Sequence, residues 1–157
     1  MDSYLLLRLI HILSATILAG TGLGIAFFMF MANRTNNPEA IAITARHVVL
    51  ADWLFTTPAI ITQFITGIWL MVRLDYSFTS VWFMMVISIF LFVGACWIPV
   101  VIIQYKLKAL AELQITNGVI GQNFRKLMRL WTLLGIPAFT AVLILFWLMV
   151  FRPLPVS

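Results

Sequence analysis

The sequence predicts an all-α integral membrane protein: one four-helix transmembrane bundle over residues 1–157, up-and-down, with both termini outside. Three observations carry this reading. Apolar residues make up 63% of the chain and charged residues only 10%, which is more apolar surface than a core of this size can bury. Four runs, residues 9–31, 48–72, 81–105 and 130–151, exceed the roughly 18 to 20 apolar residues needed to cross about 30 Å of hydrocarbon. The basic residues are also lopsided. Arg34, Arg46, Lys106, Lys108, Arg125, Lys126 and Arg129 flank the first and third connections, and only Arg8, Arg73 and Arg152 flank the other side. By the positive-inside rule the two longer connections are cytoplasmic. Topology and lipid headgroups then account for the net charge of +5, and no nucleic-acid partner is implied. A single cysteine, Cys96, excludes intramolecular disulfides and cysteine-cluster metal sites.

The expected helices cover residues 5–31, 40–73, 80–105 and 123–151. Helix one starts with Asp2 and Arg8 and is followed by no small-residue cleavage site, so it reads as a permanent helix and not a signal peptide. Its Gly20-x-x-x-Gly24 spacing predicts close packing inside the molecule, with dimerisation as the alternative. Asn33, Asn36, Asn37 and Pro38 form a turn that starts helix two near Pro38 and leaves Arg46 and His47 interfacial.

Helix two is the element the others are expected to surround. Asp52, Thr56, Gln63 and Gly67 fall within a sector of about 60° on a regular helix, with Thr66 just to one side. Such a stripe is costly in hydrocarbon unless neighbouring helices cover it or it lines a wet cavity. Pro58 is expected to kink the helix. The short outer turn makes helices two and three antiparallel neighbours. Helix three carries Gly94, Cys96, Trp97 and Pro99, then Gln104. Residues 106–116, with Lys108 and Glu112 at i,i+4, predict an amphipathic segment on the membrane surface that breaks at Asn117 and Gly118. Helix four is anchored by Arg125, Lys126 and Arg129 and ends at Arg152 and Pro153. Trp53, Trp69, Trp82, Trp131 and Trp147 sit toward helix ends, as interfacial belts require, and Trp97 sits deeper.

His11 is the sharpest candidate for chemistry. It lies roughly 10 Å below the outer surface, on the same side of its helix as Ser14, Leu18 and Gly22. An intramembrane histidine suits a proton relay, a metal ligand or a haem ligand; the alternative is a neutral side chain bonded to a neighbouring helix. A haem held between His11 and His47 is rejected, because the two lie roughly 30 Å apart along the bundle. Gly67, at a similar depth to His11, leaves room for a flat ring or for close packing. Asp52, with Arg46 and Gln104, forms a second candidate site, either an interhelical clamp or a proton entry point for quinone or substrate chemistry. Gln63 and Thr66 need partners, and the Trp97 indole N–H is one available donor. Cys96, alone and buried, reads as inert.

The layout, with ADWLFTTPAIITQFITG in helix two and ACWIPVVIIQ in helix three, resembles over nearly its whole length the bacterial inner-membrane proteins grouped as DUF2269, a family without an assigned function. Locally, LLLRLIHILSATILAG is similar to the first helix of HemJ-type protoporphyrinogen oxidases and CopD-like membrane proteins. That resemblance implies haem b, with His11 as an axial ligand. The chain departs from it at Leu18, where those proteins usually have tryptophan before the Ala-Gly pair, and at Met84, Met85 and Val86, where they have a basic residue important for activity. The second departure argues against protoporphyrinogen oxidation itself.

The residues leave three function classes open. One is a membrane redox or haem-binding protein with a quinone or other membrane redox partner; another is a small transporter or metal-handling protein using the stripe of Asp52 and Gln63. The last is a non-catalytic subunit or assembly factor, whose buried polar groups only specify helix packing; an oligomer is left open in all three.

Overall fold

The computed structural model describes residues 3–152; Asp2 and Pro153 lie outside them. The described residues form α1 (Ser3–Arg34), α2 (Pro38–Ala51), a π turn (Asp52–Thr56), α3 (Thr57–Arg73), α4 (Val81–Asn117) and α5 (Gln122–Phe151). Since α2, the π turn and α3 run on without interruption, they make one span, and four helices are long and apolar enough to cross a membrane. Local chemistry sets their ends. Asn37 caps α2, its side-chain oxygen accepting from the Glu39 and Ala40 N–H groups with Pro38 in the first turn, and the Ser80 hydroxyl accepts from the Phe83 N–H at the start of α4. Gly118, at φ 66°, closes α4 in the left-handed conformation that favours glycine.

The four spans are longer than a bilayer requires. The second span has 36 residues, about 54 Å at 1.5 Å per residue, against about 30 Å of hydrocarbon. Charge placement shows which end projects. Arg8, Arg73 and Arg152 mark the end that carries both termini, and the next charged side chains along the spans are Arg34, Asp52, Lys106 and Arg129. The excess therefore lies at the opposite, basic end, which is called the base below. There the helices pack as a water-soluble bundle does: Met29, Ile41, Ala42, Leu107, Ala111, Phe124 and Met128 belong to one buried cluster. In the terminal half, lipid replaces water as solvent, burial of apolar surface no longer drives helices together, and packing loosens. Here α1 packs on α3 and α4 on α5, while α3 and α4 meet along little of their length, through contacts such as the stacked rings of Phe64 and Phe90 at 5.9 Å. Helices two and three of the sequence are thus neighbours mainly through α2 on α4.

Several expectations change. Residues 106–116 are not a separate surface segment. No glycine or proline interrupts the chain between Pro99 and Gly118, and Leu107 and Ala111 continue the buried face of Val100 and Ile103, so α4 runs unbroken into the base. Gly20, Gly22 and Gly24 do not receive a neighbouring helix, since a Cβ at any of them would meet nothing within 4 Å. Trp82 and Trp131 are buried and not in a belt; the Trp82 indole donates to the Leu148 carbonyl at 3.0 Å and so ties α4 to the last turns of α5. Trp53, Trp69 and Trp147 are exposed, as the belt reading requires, and the Trp53 indole donates to the Tyr105 hydroxyl. Pro58 has no N–H to donate, and the turn before it opens to π, with the Thr57 N–H reaching the Asp52 carbonyl.

Phe124 is 0% exposed at the centre of the base and Phe28 is 64% exposed on the apolar surface. Phe124→Ala is therefore expected to destabilise the protein by on the order of 3 kcal/mol, and Phe28→Ala by well under 1 kcal/mol. Reversible unfolding in mixed micelles measures both; equal losses would contradict a base-centred core.

Candidate functional site

The polar residues of the second span divide into two centres. A π turn inserts one residue beyond the α repeat and rotates the downstream helix by about 100° relative to an unbroken one. The stripe expected on one face is therefore split. Gln63 and Thr66 look toward α1, whereas Asp52 and Thr56 look toward α4.

The first centre joins α1 to α3 in the terminal half. His11 Nδ1 lies 2.8 Å from Thr66 Oγ1, and His11 Nε2 lies 3.0 Å from Gln63 Nε2. Hydrogen positions are set by the bonding pattern. Thr66 has one hydroxyl proton and donates it to the Thr62 carbonyl at 2.6 Å, so it accepts from His11 Nδ1–H. Nε2 is then bare and accepts from the Gln63 amide. Ser14 has two acceptors in reach, Gln63 Oε1 at 2.6 Å and the His11 carbonyl at 2.9 Å. Gly67 permits this closeness: a Cβ there would stand 3.3 Å from His11 Cε1, so the imidazole itself lies against the α3 backbone. Trp97 is not the partner of Gln63 or Thr66. Sequence reasoning placed Ser14 on the right face without giving it a role and passed over Thr62; the signals for both were their spacings, three residues from His11 and four from Thr66.

The second centre lies where the base meets the hydrocarbon. Asp52 on the π turn is 3% exposed, and Thr56, Gln104 and Trp97 surround its carboxyl group within electrostatic reach. Yet none of these groups completes a hydrogen bond: both Asp52 oxygens, Thr56 Oγ1, both amide atoms of Gln104 and Trp97 Nε1 are buried without a partner. Arg46, grouped with Asp52 from the sequence, points elsewhere. Its guanidinium holds Glu112 at 2.6 Å on the exposed surface of the base, a partnership that also takes Glu112 from the Lys108 pairing suggested by spacing. Buried Cys96 is the free cysteine.

Residues 5–153 match the family described as predicted integral membrane protein, DUF2269. The chain belongs to that family. No curated protein and no solved structure matches it. The family description agrees with the architecture, a multi-pass protein seated in a lipid bilayer with four candidate spans.

The haem implied by the helix-one resemblance does not fit the first centre as it is arranged. An axial histidine offers the iron a bare ring nitrogen with room for the macrocycle beyond it. In this DUF2269 protein both ring nitrogens meet α3 side chains, and the space over Gly67 is filled by the imidazole. Among the described residues no group of three or more His, Cys, Asp or Glu side chains is placed to hold a metal. Protein purified after expression with haem supplied is expected to lack a stoichiometric Soret band. A band present in the parent and lost in His11→Ala would show that Gln63 swings aside to admit iron.

Proposed function

We propose that the protein handles protons inside the membrane, as a small proton-coupled transporter whose proton-binding group is His11. The observation that carries this is a hydrogen-bond frame that serves both charge states with the heavy atoms in place. In the neutral state Gln63 donates its amide N–H to His11 Nε2, and Ser14 donates to Gln63 Oε1. When Nε2 takes a proton, a half-turn of the Gln63 amide presents Oε1 as acceptor to the new N–H and turns its NH₂ toward Ser14. Ser14 then donates to the His11 carbonyl, already at 2.9 Å. Thr66 accepts from Nδ1–H throughout. An imidazolium in hydrocarbon is tolerable only when its N–H groups are satisfied, and this frame satisfies both.

In this reading the membrane is the bacterial inner membrane and the base faces the cytoplasm, which the concentration of basic residues there supports. A proton would enter His11 from the terminal side, where the nearest charged groups along the packed helices are Arg8 on α1 and Arg73 on α3, the latter donating to Ser3 at 2.8 Å. A second reading, a subunit of a larger membrane assembly, is favoured by the open face at Gly20, Gly22 and Gly24, which would admit a partner helix closely.

Nitrogen-15 NMR of labelled His11, in a His47→Gln background to remove the other histidine, tests the proton reading. The expected spectra show the Nδ1–H tautomer alone at high pH and a doubly protonated ring at low pH in the folded protein. Gln63→Met, which cannot accept the new hydrogen bond, is expected to lower the doubly protonated fraction about tenfold at a fixed pH. Gln63→Glu should hold the ring doubly protonated where the parent is neutral. An Nε2–H tautomer, or a ring that never gains a second proton while the protein stays folded, would sink the proposal.

A further inference from the structure

The second centre carries a different assignment, independent of His11: we infer that Asp52, Thr56 and Gln104 form a binding site for a monovalent hard cation, for which sodium is the probe. The first reason is the number of buried polar atoms that have no partner. Asp52 and Gln104 are each 3% exposed and Thr56 is 4% exposed; their side chains meet from the π turn and α4, close enough to interact, yet none of their polar atoms completes a hydrogen bond of good geometry. Folded proteins leave few such atoms, and four neighbouring side chains that all do so mark a place built for something else.

The second reason is charge. In its ionised form a buried carboxyl group needs a positive partner, and among the described residues no Lys, Arg or His pairs with Asp52. Arg46 is committed to Glu112, and Lys106, two residues beyond Gln104, is exposed. The third reason is the donor set. Carboxylate, hydroxyl and amide carbonyl oxygens are hard ligands that suit alkali and alkaline-earth ions over soft metals. Asp52 supplies one negative charge, and no further acidic, His or Cys side chain joins it in a metal-holding group among the described residues. One charge matches a monovalent ion.

The lack of mutual hydrogen bonds agrees with this. Oxygens that share a hard cation at about 2.4 Å stand about 3.4 Å or more from one another, too far to bond mutually. The remaining donors have a place in the same scheme: Trp97 N–H and the Gln104 NH₂ group can bond carboxylate lone pairs that the ion leaves unused. The position suits exchange with water, because the centre lies at the junction of the base with the hydrocarbon, and Pro58 two residues beyond Thr56 leaves the backbone there less tied than in a regular helix.

The test is thermal unfolding of the detergent-solubilised full chain in sodium, lithium, potassium or choline chloride at equal ionic strength, with sodium binding measured by calorimetry. A ligand that binds only the folded state raises the melting temperature with its concentration. Sodium is expected to raise it above choline, with the alkali ions differing by size. Asp52→Asn, an uncharged near-isostere, should abolish the difference, and Gln104→Leu should weaken the apparent affinity about tenfold. If Asp52→Asn does not fold, calorimetry on the parent decides alone: saturable sodium binding at one site supports the assignment, and heats that do not saturate overturn it. Identical melting in all four salts, or a sodium effect unchanged in Asp52→Asn, would overturn the assignment. Histidine spectra report separately on His11, so either site can fail without the other.

Discussion

The register shift at the π turn is the constraint on which the polar interior depends. Pro58 cannot donate a backbone hydrogen bond, and the turn before it relaxes from the α to the π pattern, with the Thr57 N–H bonded to the Asp52 carbonyl. This rotates Gln63 and Thr66 onto α1 and leaves Asp52 and Thr56 on α4. Without the extra residue the same side chains would share one face and compete for one neighbour. With it, a single span serves two helices, one centre saturated with hydrogen bonds and the other without any.

Lipid and water divide the molecule along its length. In the base, where solvent is water and headgroups, apolar side chains drive a compact core centred on Phe124 and Leu107. In the terminal half, apolar groups gain nothing by leaving lipid, and the helices are held by specific bonds: His11 with Gln63 and Thr66, Arg73 with Ser3, and the Trp82 indole with the Leu148 carbonyl. Removing a polar contact in that half costs more than its count suggests, since lipid offers the freed polar group no partner.

Much of this was legible in the sequence. Apolar run length gave the four spans, and the depth of His11 against Gly67 placed the two at one level; the break at Gly118 was legible, although the helix it ends was expected to stop at residue 105. Four things were not legible. The phase of the stripe failed because a regular 100° step was carried through Pro58. The fate of residues 106–116 failed because an amphipathic pattern reads alike whether its apolar face meets lipid or a protein core. The partner of Arg46 failed because proximity in sequence to Asp52 says nothing about α4, where Glu112 waits at the surface. The glycine spacing of α1 misled similarly: close approach is permitted at such positions, and whether a neighbour takes it up is decided elsewhere.

The pairing of α1 with α3 and of α4 with α5 has a consequence for how the chain is made. Each pair joins consecutive spans across a short connection, so each is a hairpin with mostly local contacts that assembles rapidly once both its helices have entered the bilayer. The contact of α2 with α4 joins the two hairpins and requires the third span to be present. Synthesis therefore leaves the first hairpin complete in the membrane while the Asp52 centre still lacks Trp97 and Gln104, and the carboxyl group is enclosed only when the second hairpin docks.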